Sequence, residues 1–155
     1  MKYVDRRVFI DAAPAEVYEL LTHADRFVEW MAPEADIDTR VGGTITWRHL
    51  NGDRCTGTFV ELVPGRRIVF TYGWDRDDVR IPPGSTTVEI TLQPRDGGTD
   101  LHLVHRDLPE PMVDPHAGGW ANYLHRLAVA ASGGDPGPDP LANERVPSAR
   151  QVGLA

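Results

Sequence analysis

From Trp30 onward the chain is cut into short alternating segments by turn-forming pairs, and this punctuation constrains the fold more than any other feature. Segments with strand character run over residues 35–40, 44–50, 54–63, 67–74, 86–93 and 99–106. Between them stand Gly42-Gly43, Asn51-Gly52, Pro64-Gly65, Pro82-Pro83-Gly84 and Gly97-Gly98, which supply the backbone conformations that tight hairpins need. Strands joined by such short connections pair with their sequence neighbours, so the spacing predicts an antiparallel meander.

The flanks complete the pattern. Residues 3–10 read as a first strand rich in Val, Phe and Ile. Pro14 then opens a short helix over 14–21, with Val17, Tyr18, Leu20 and Leu21 as its apolar stripe, and a second short helix covers 24–30. Past Pro109 and Pro111 the period turns helical again: Trp120, Tyr123, Leu124, Leu127, Ala128 and Ala131 recur at spacings of three and four. Gly118-Gly119 marks either the true start of this long helix or a weak point within it. A sheet with one apolar face must cover that face. The expected fold class is therefore α+β: a helix-grip, a curved antiparallel β-sheet wrapped around a long C-terminal α-helix, with two short helices after the first strand. At 155 residues one domain is expected, spanning 1–132, followed over 133–155 by a Gly/Pro-rich tail with few groups to bury.

Several pieces then carry a family resemblance in order along the chain: residues 10–18 (IDAAPAEVY), 38–43 (DTRVGG), 57–64 (GTFVELVP), 67–72 (RIVFTY), 98–105 (GTDLHLVH) and Gly119-Trp120. The chain resembles the homologues of the heat-shock-protein ATPase activator, within the START-like superfamily that also holds polyketide cyclases and plant allergens. The resemblance spans roughly residues 5–132. It implies an apolar pocket between sheet and long helix without implying one activity, since such folds host carriers, cyclases and co-chaperone domains.

Parity along the strands names the residues that would line such a pocket. Alternation places Ile68, Phe70, Tyr72 and Trp74 on one face, and likewise Ile45, Trp47 and His49, Val88, Ile90 and Leu92, and Leu101, Leu103 and His105. Most aliphatic members are expected to be core. The polar-tipped side chains need partners if buried, so for Trp47, Tyr72 and His105 both ligand contact and structural hydrogen bonding stay open. The candidate ligand-binding set is Trp47, His49, Phe70, Tyr72, Trp74, His105, Trp120 and Tyr123, and the expected occupant is a small apolar or aromatic molecule. Acid/base chemistry of the cyclase or aromatase kind is the alternative, with His105 titrating near neutrality and His49 or Tyr72 assisting. A co-chaperone-like interaction domain is the third reading.

Other chemistry finds no support in the residues. A net charge of −7, from 16 Lys+Arg against 23 Asp+Glu, argues against a nucleic-acid partner. The serines at 85, 132 and 148 lie in no nucleophile elbow, and the lone Cys55 has no nucleophile signature. His102 and His105 point to opposite strand faces, while His116 and His125 fall on opposite sides of the long helix, so no metal-ligand spacing survives. No catalytic motif, metal or cofactor is expected. The absence of an apolar signal core or spanning run, with one cysteine, makes the cytoplasm the expected location, without membrane insertion, and a homodimer the expected assembly if there is one.

Overall fold

The computed structural model describes residues 3–154; Met1, Lys2 and Ala155, which fall at the two ends of the expected domain and tail, lie outside the described residues. Strand β1 (Val4–Ile10) leads into helices α1 (Pro14–Thr22) and α2 (Ala24–Phe27). Six strands follow: β2 (Glu34–Ile37), β3 (Thr44–Arg48), β4 (Arg54–Val63), β5 (Arg67–Trp74), β6 (Thr86–Arg95) and β7 (Gly98–Arg106). Helix α3 (Glu110–Ala131) packs against the sheet. All seven strands form one antiparallel sheet in the order β1-β7-β6-β5-β4-β3-β2, so β2 to β7 are a meander and β1 adds to its last strand. This curved sheet around α3 is the helix-grip expected from the punctuation.

Local chemistry explains the turns and the bending. Gly52 and Gly97 hold φ of 93° and 78°, where any side chain is strained, and they close the β3–β4 and β6–β7 hairpins. The sheet bends where β4 is bulged between Phe59 and Glu61. Beside that irregularity the backbones approach so closely that a Cβ on Gly57 would overlap the Thr71 carbonyl oxygen.

The inner face follows the parity rule. Ile45, Trp47, Ile68, Phe70, Tyr72, Val88, Ile90, Leu92, Leu101 and Leu103 are all buried, and α3 meets them with Met112, His116, Trp120, Tyr123, Leu124, Leu127 and Ala130. Several boundaries differ from those read in the sequence, and β6 runs two residues further, to Arg95. The second helix stops at Phe27 and continues as turns, β2 ends at Ile37, and His49 lies just past the end of β3. Helix α3 begins at Glu110, nine residues before Gly119, and runs through Pro115 and the glycine pair without a break. The pair is therefore an interior feature, and the reading of Gly118-Gly119 as the helix start is overturned.

The last segment behaves differently from its composition. After Gly133 the chain turns back along the domain, where the Arg126 guanidinium donates to the carbonyls of Pro136 and Gly137 at 3.3 and 3.0 Å. Leu141, Val146, Val152 and Leu154 pack against the core, and Ala149 is buried, its N–H donating to the Asp78 carbonyl at 2.6 Å. A Gly/Pro-rich stretch forms little regular structure of its own, yet its backbone is held by side chains of the domain. Pattern reading scores only what a segment does for itself, so it does not register such partners.

Two tests follow from this packing. Gly118→Ala and Gly119→Ala introduce a Cβ with nothing within 4 Å, so each should raise unfolding free energy by about 0.5–1 kcal/mol in urea titrations, whereas Gly57→Ala should lower it by at least about 2 kcal/mol. Truncation after Ser132 should lower Tm by at least about 4 °C, the equivalent of roughly 1–2 kcal/mol in a domain of this size.

Candidate functional site

A cavity of about 210 Å³ lies between the sheet and α3. Its sheet wall is Trp47, His49, Tyr72 and Trp74; its helix wall is Pro115, His116, Gly119, Trp120 and Tyr123; and its remaining side is Asn51 and Asp53 of the β3–β4 turn with Leu141 and residues 144–147. Six of the eight residues singled out in the sequence are thus brought together. Phe70 and His105 are not among the lining residues: Phe70 is buried between Trp47 and Phe59, and His105 lies behind Tyr72 and Trp120 with no exposed surface.

The polar tips of this wall are paired with one another. The Trp47 indole N–H donates to His49 Nε2 at 3.2 Å, that of Trp74 to His116 Nε2 at 3.1 Å, and that of Trp120 to His105 Nδ1 at 3.0 Å. An indole N–H can only donate, so each histidine accepts at that nitrogen and carries its proton on the other. The remaining proton is also placed: His116 Nδ1 donates to the Met112 carbonyl at 2.8 Å, and His105 Nε2 to Thr86 Oγ1 at 2.9 Å, whose hydroxyl donates to the Tyr72 carbonyl. His49 Nδ1 faces Tyr123 Oη at 3.4 Å, and that hydroxyl donates to Asp139 Oδ2 at 2.6 Å. Protonating any of the three rings would set an N–H against an indole N–H.

Electrostatics agrees with this geometry. Burial pushes the His105 pKa well below its ordinary value, with nearby His116 adding to the effect, and burial lowers His116 to about 4. His49 is also lowered by burial, against the opposing pull of Asp139 and Asp53. The expectation that His105 titrates near neutrality is therefore overturned. It stands on the inner face as parity requires, but a buried imidazole holding two neighbours is fixed neutral. Burial raises the Tyr123 hydroxyl, as does its bond to Asp139. Burial also works to raise the Asp139 carboxyl, but hydrogen bonds from Tyr123, the Leu141 backbone and Asn122 outweigh it and hold that group low. Cys55 is fully buried and its thiol is pushed well up by burial, so it is no nucleophile at neutral pH.

The lining also takes in Met31, Asn51, Asp53, Pro115, His116, Gly119 and residues of 141–147, none of them among the eight expected from the sequence. Metal-ligand spacing gives His116 no role, yet its spacing of four and seven residues from Trp120 and Tyr123 puts it on the same helix face. The contribution of 141–147 had no periodic signal. Among the described residues, no cluster of three or more His, Cys, Asp or Glu side chains is arranged to hold a metal, and no helix is long and apolar enough to cross a membrane.

An antiparallel sheet gripping a C-terminal helix over an aromatic cavity defines the START-like helix-grip class. Within it, residues 11–132 match the family described as "Activator of Hsp90 ATPase homolog 1-like protein", and this chain belongs to that family. The human activator of 90 kDa heat shock protein ATPase homolog 1 is 25% identical over 115 residues, which are 72% of this chain and 31% of the human protein. The chain thus spans under a third of that relative's length. The solution structure of an AHSA1-like protein from Rhizobium etli is 36% identical, with a TM-score of 0.69, covering 94% of this chain and 91% of its own. That alignment leaves out fewer residues than lie beyond Ser132, so it extends into the C-terminal segment. The Aha1 dimer from Colwellia psychrerythraea, 22% identical with a TM-score of 0.73 over 84% of this chain and 96% of that one, shares the fold.

The neutral histidines make stability depend on pH in a defined direction. Their folded pKa values lie below the unfolded value of about 6.5, so their contribution is fully present above that pH. It should be lost as pH falls from about 6.5 toward the folded value, about 4 for His116, with a slope of up to about 1.4 kcal/mol per pH unit per histidine. Urea unfolding between pH 7.5 and 4.5 measures it, and His116→Gln should remove one histidine's share of the slope.

Proposed function

We propose that this protein binds a small, neutral, apolar or aromatic molecule in the cavity between sheet and α3. One observation carries the reading: the cavity is walled by Trp47, Tyr72, Trp74, Trp120 and Tyr123, while the three indole N–H groups are already bonded inside the protein. A wall whose donors are internally satisfied presents mainly ring surface, and the occupant it favours is one that needs few hydrogen bonds. A site of about 210 Å³ suits a one- or two-ring molecule, since a cavity of about 150 Å³ holds benzene. The protein is proposed to act in the cytoplasm, in keeping with its single buried cysteine. A homodimer is part of the proposal by analogy with the Colwellia protein, and sedimentation tests it.

A second reading, acid/base chemistry of the cyclase kind, is favoured by one feature, the His49–Tyr123–Asp139 chain at the cavity wall. In it His105 has no part: Asp139 would take the proton through the Tyr123 hydroxyl, and His49, with its proton on Nδ1, would orient that hydroxyl. Turnover of a polyketone that vanishes in Tyr123→Phe while binding persists would favour this reading over simple binding.

The binding reading is tested by filling the cavity from its least crowded wall. Gly119 lines the site with open space beyond it, and leucine is a better helix former than glycine. Gly119→Leu should fold at least as stably as the parent while weakening 2-naphthol, followed by quenching of tryptophan fluorescence, by about tenfold or more. Equal, stoichiometric binding by parent and variant would place the ligand elsewhere.

A further inference from the structure

The cavity's third side belongs neither to the strands of the sheet nor to α3. It is formed by the β3–β4 turn and the segment 139–147, whose downstream half is held over the site by the buried Asp53 carboxylate and by Asn51 Nδ2, which donates to the Glu144 carbonyl at 2.9 Å. Asp53, in the β3–β4 turn, is 1% exposed. Its Oδ1 accepts from Arg145 Nη2 at 2.6 Å and Nε at 3.0 Å, and its Oδ2 from the Val146 N–H at 3.1 Å and Arg76 Nη1 at 3.3 Å. Arg76 also donates to the Val146 carbonyl at 2.8 Å, so the backbone of one strap residue is gripped on both sides. The upstream end is clipped separately, by Tyr123 and Asn122 on Asp139.

We infer that residues 139–147 are a strap that sets the size selectivity of the cavity, with Asp53 as its clasp. Resting on the binding reading above, this adds which part of the wall is adjustable. The aromatic and histidine side chains of the sheet and helix walls are fixed: they are buried and joined by indole–imidazole bonds across the two layers. The strap is anchored by these ion pairs, with Arg145 half exposed, and by Leu141 and Val146 packed at the edge of the core, and it places Leu141, Val146 and Pro147 against the site. Release of the clasp therefore loosens Leu141 and Val146 from the rim and widens the cavity toward solvent, while the indole–imidazole bonds between sheet and helix stay in place. A closed strap admits a compact ring system and excludes a longer one. An uncompensated buried carboxylate is costly, so the two arginines and the carboxylate are needed together, and loss of either side frees the segment.

The 155-residue chain with Asp53→Asn, and separately with the milder Arg145→Gln, tests this with two neutral probes, 2-naphthol and the larger pyrene. Hydrogen exchange of residues 139–147 is read alongside as a measure of strap release independent of any ligand. The parent should bind 2-naphthol and exclude pyrene. Both variants should exchange faster over 139–147, bind pyrene at least about tenfold more tightly than the parent does, and hold 2-naphthol less tightly. Faster exchange with unchanged preference between the probes would overturn the selectivity role while leaving the binding site intact. Unchanged exchange in both variants would remove Asp53 as the clasp. If no chain, parent or variant, binds either probe, the binding reading itself falls and this inference falls with it.

Discussion

An indole N–H in an apolar interior must find an acceptor, and the structure is organised around meeting that requirement three times. Two of the bonds join the layers of the fold: Trp74 of β5 donates to His116 of α3, and Trp120 of α3 donates to His105 of β7. Leaving such a donor without a partner costs about 1–3 kcal/mol, so these bonds fix the rotation of the helix against the sheet as well as its distance. The third, Trp47 to His49, fixes the end of β3 where the chain leaves the sheet. Because the acceptors are histidines, the same bonds demand neutral rings. Burial supplies that condition, and the aromatic wall is consequently tied to the protonation state behind it.

This arrangement separates the parts of the site by rigidity. The deep wall is made of rings that brace one another, with Tyr72 against Trp47, Trp74, His105 and His116. Opposite it α3 carries Pro115, which cannot donate a helical hydrogen bond, and Gly118-Gly119, which carry no side chain. Helix propensity is given up where the helix borders the cavity, and Gly119 leaves open the space that a larger residue would fill. The outer wall is held by ion pairs to Asp53, whose strength depends on the carboxylate staying out of water.

Membership of the activator-like family accounts for the fold and leaves the occupant to the site, since one helix-grip scaffold serves different chemistries. What individualises this chain is the composition of the wall and the covering of its mouth. Asn51, Asp53, Arg76 and Arg145 come from two hairpins and the C-terminal segment, far apart in sequence and joined only in the folded molecule.

Short-range chemistry wrote most of the fold into the sequence. Hairpin pairs such as Asn51-Gly52 and Gly97-Gly98 set the meander, and period-two alternation put Tyr72 and Trp74, or Leu103 and His105, on the inner face, because both depend on neighbours a few residues away. The same local reasoning brought Trp47, Tyr72, Trp120 and Tyr123 to one cavity. It failed where the deciding partner was distant. His105 reads as a titratable strand-end residue until Trp120 and Thr86 occupy both its nitrogens, and Gly118-Gly119 reads equally as a helix start until α3 packs through it. Residues beyond Ser132 carry no periodic pattern, and only the folded domain, by presenting Asp53, Arg76, Tyr123 and Arg126, gives them a place. Backbone pattern is a property of the sequence alone, whereas the protonation of a buried ring and the ordering of an irregular segment are set by groups that only the tertiary structure brings near.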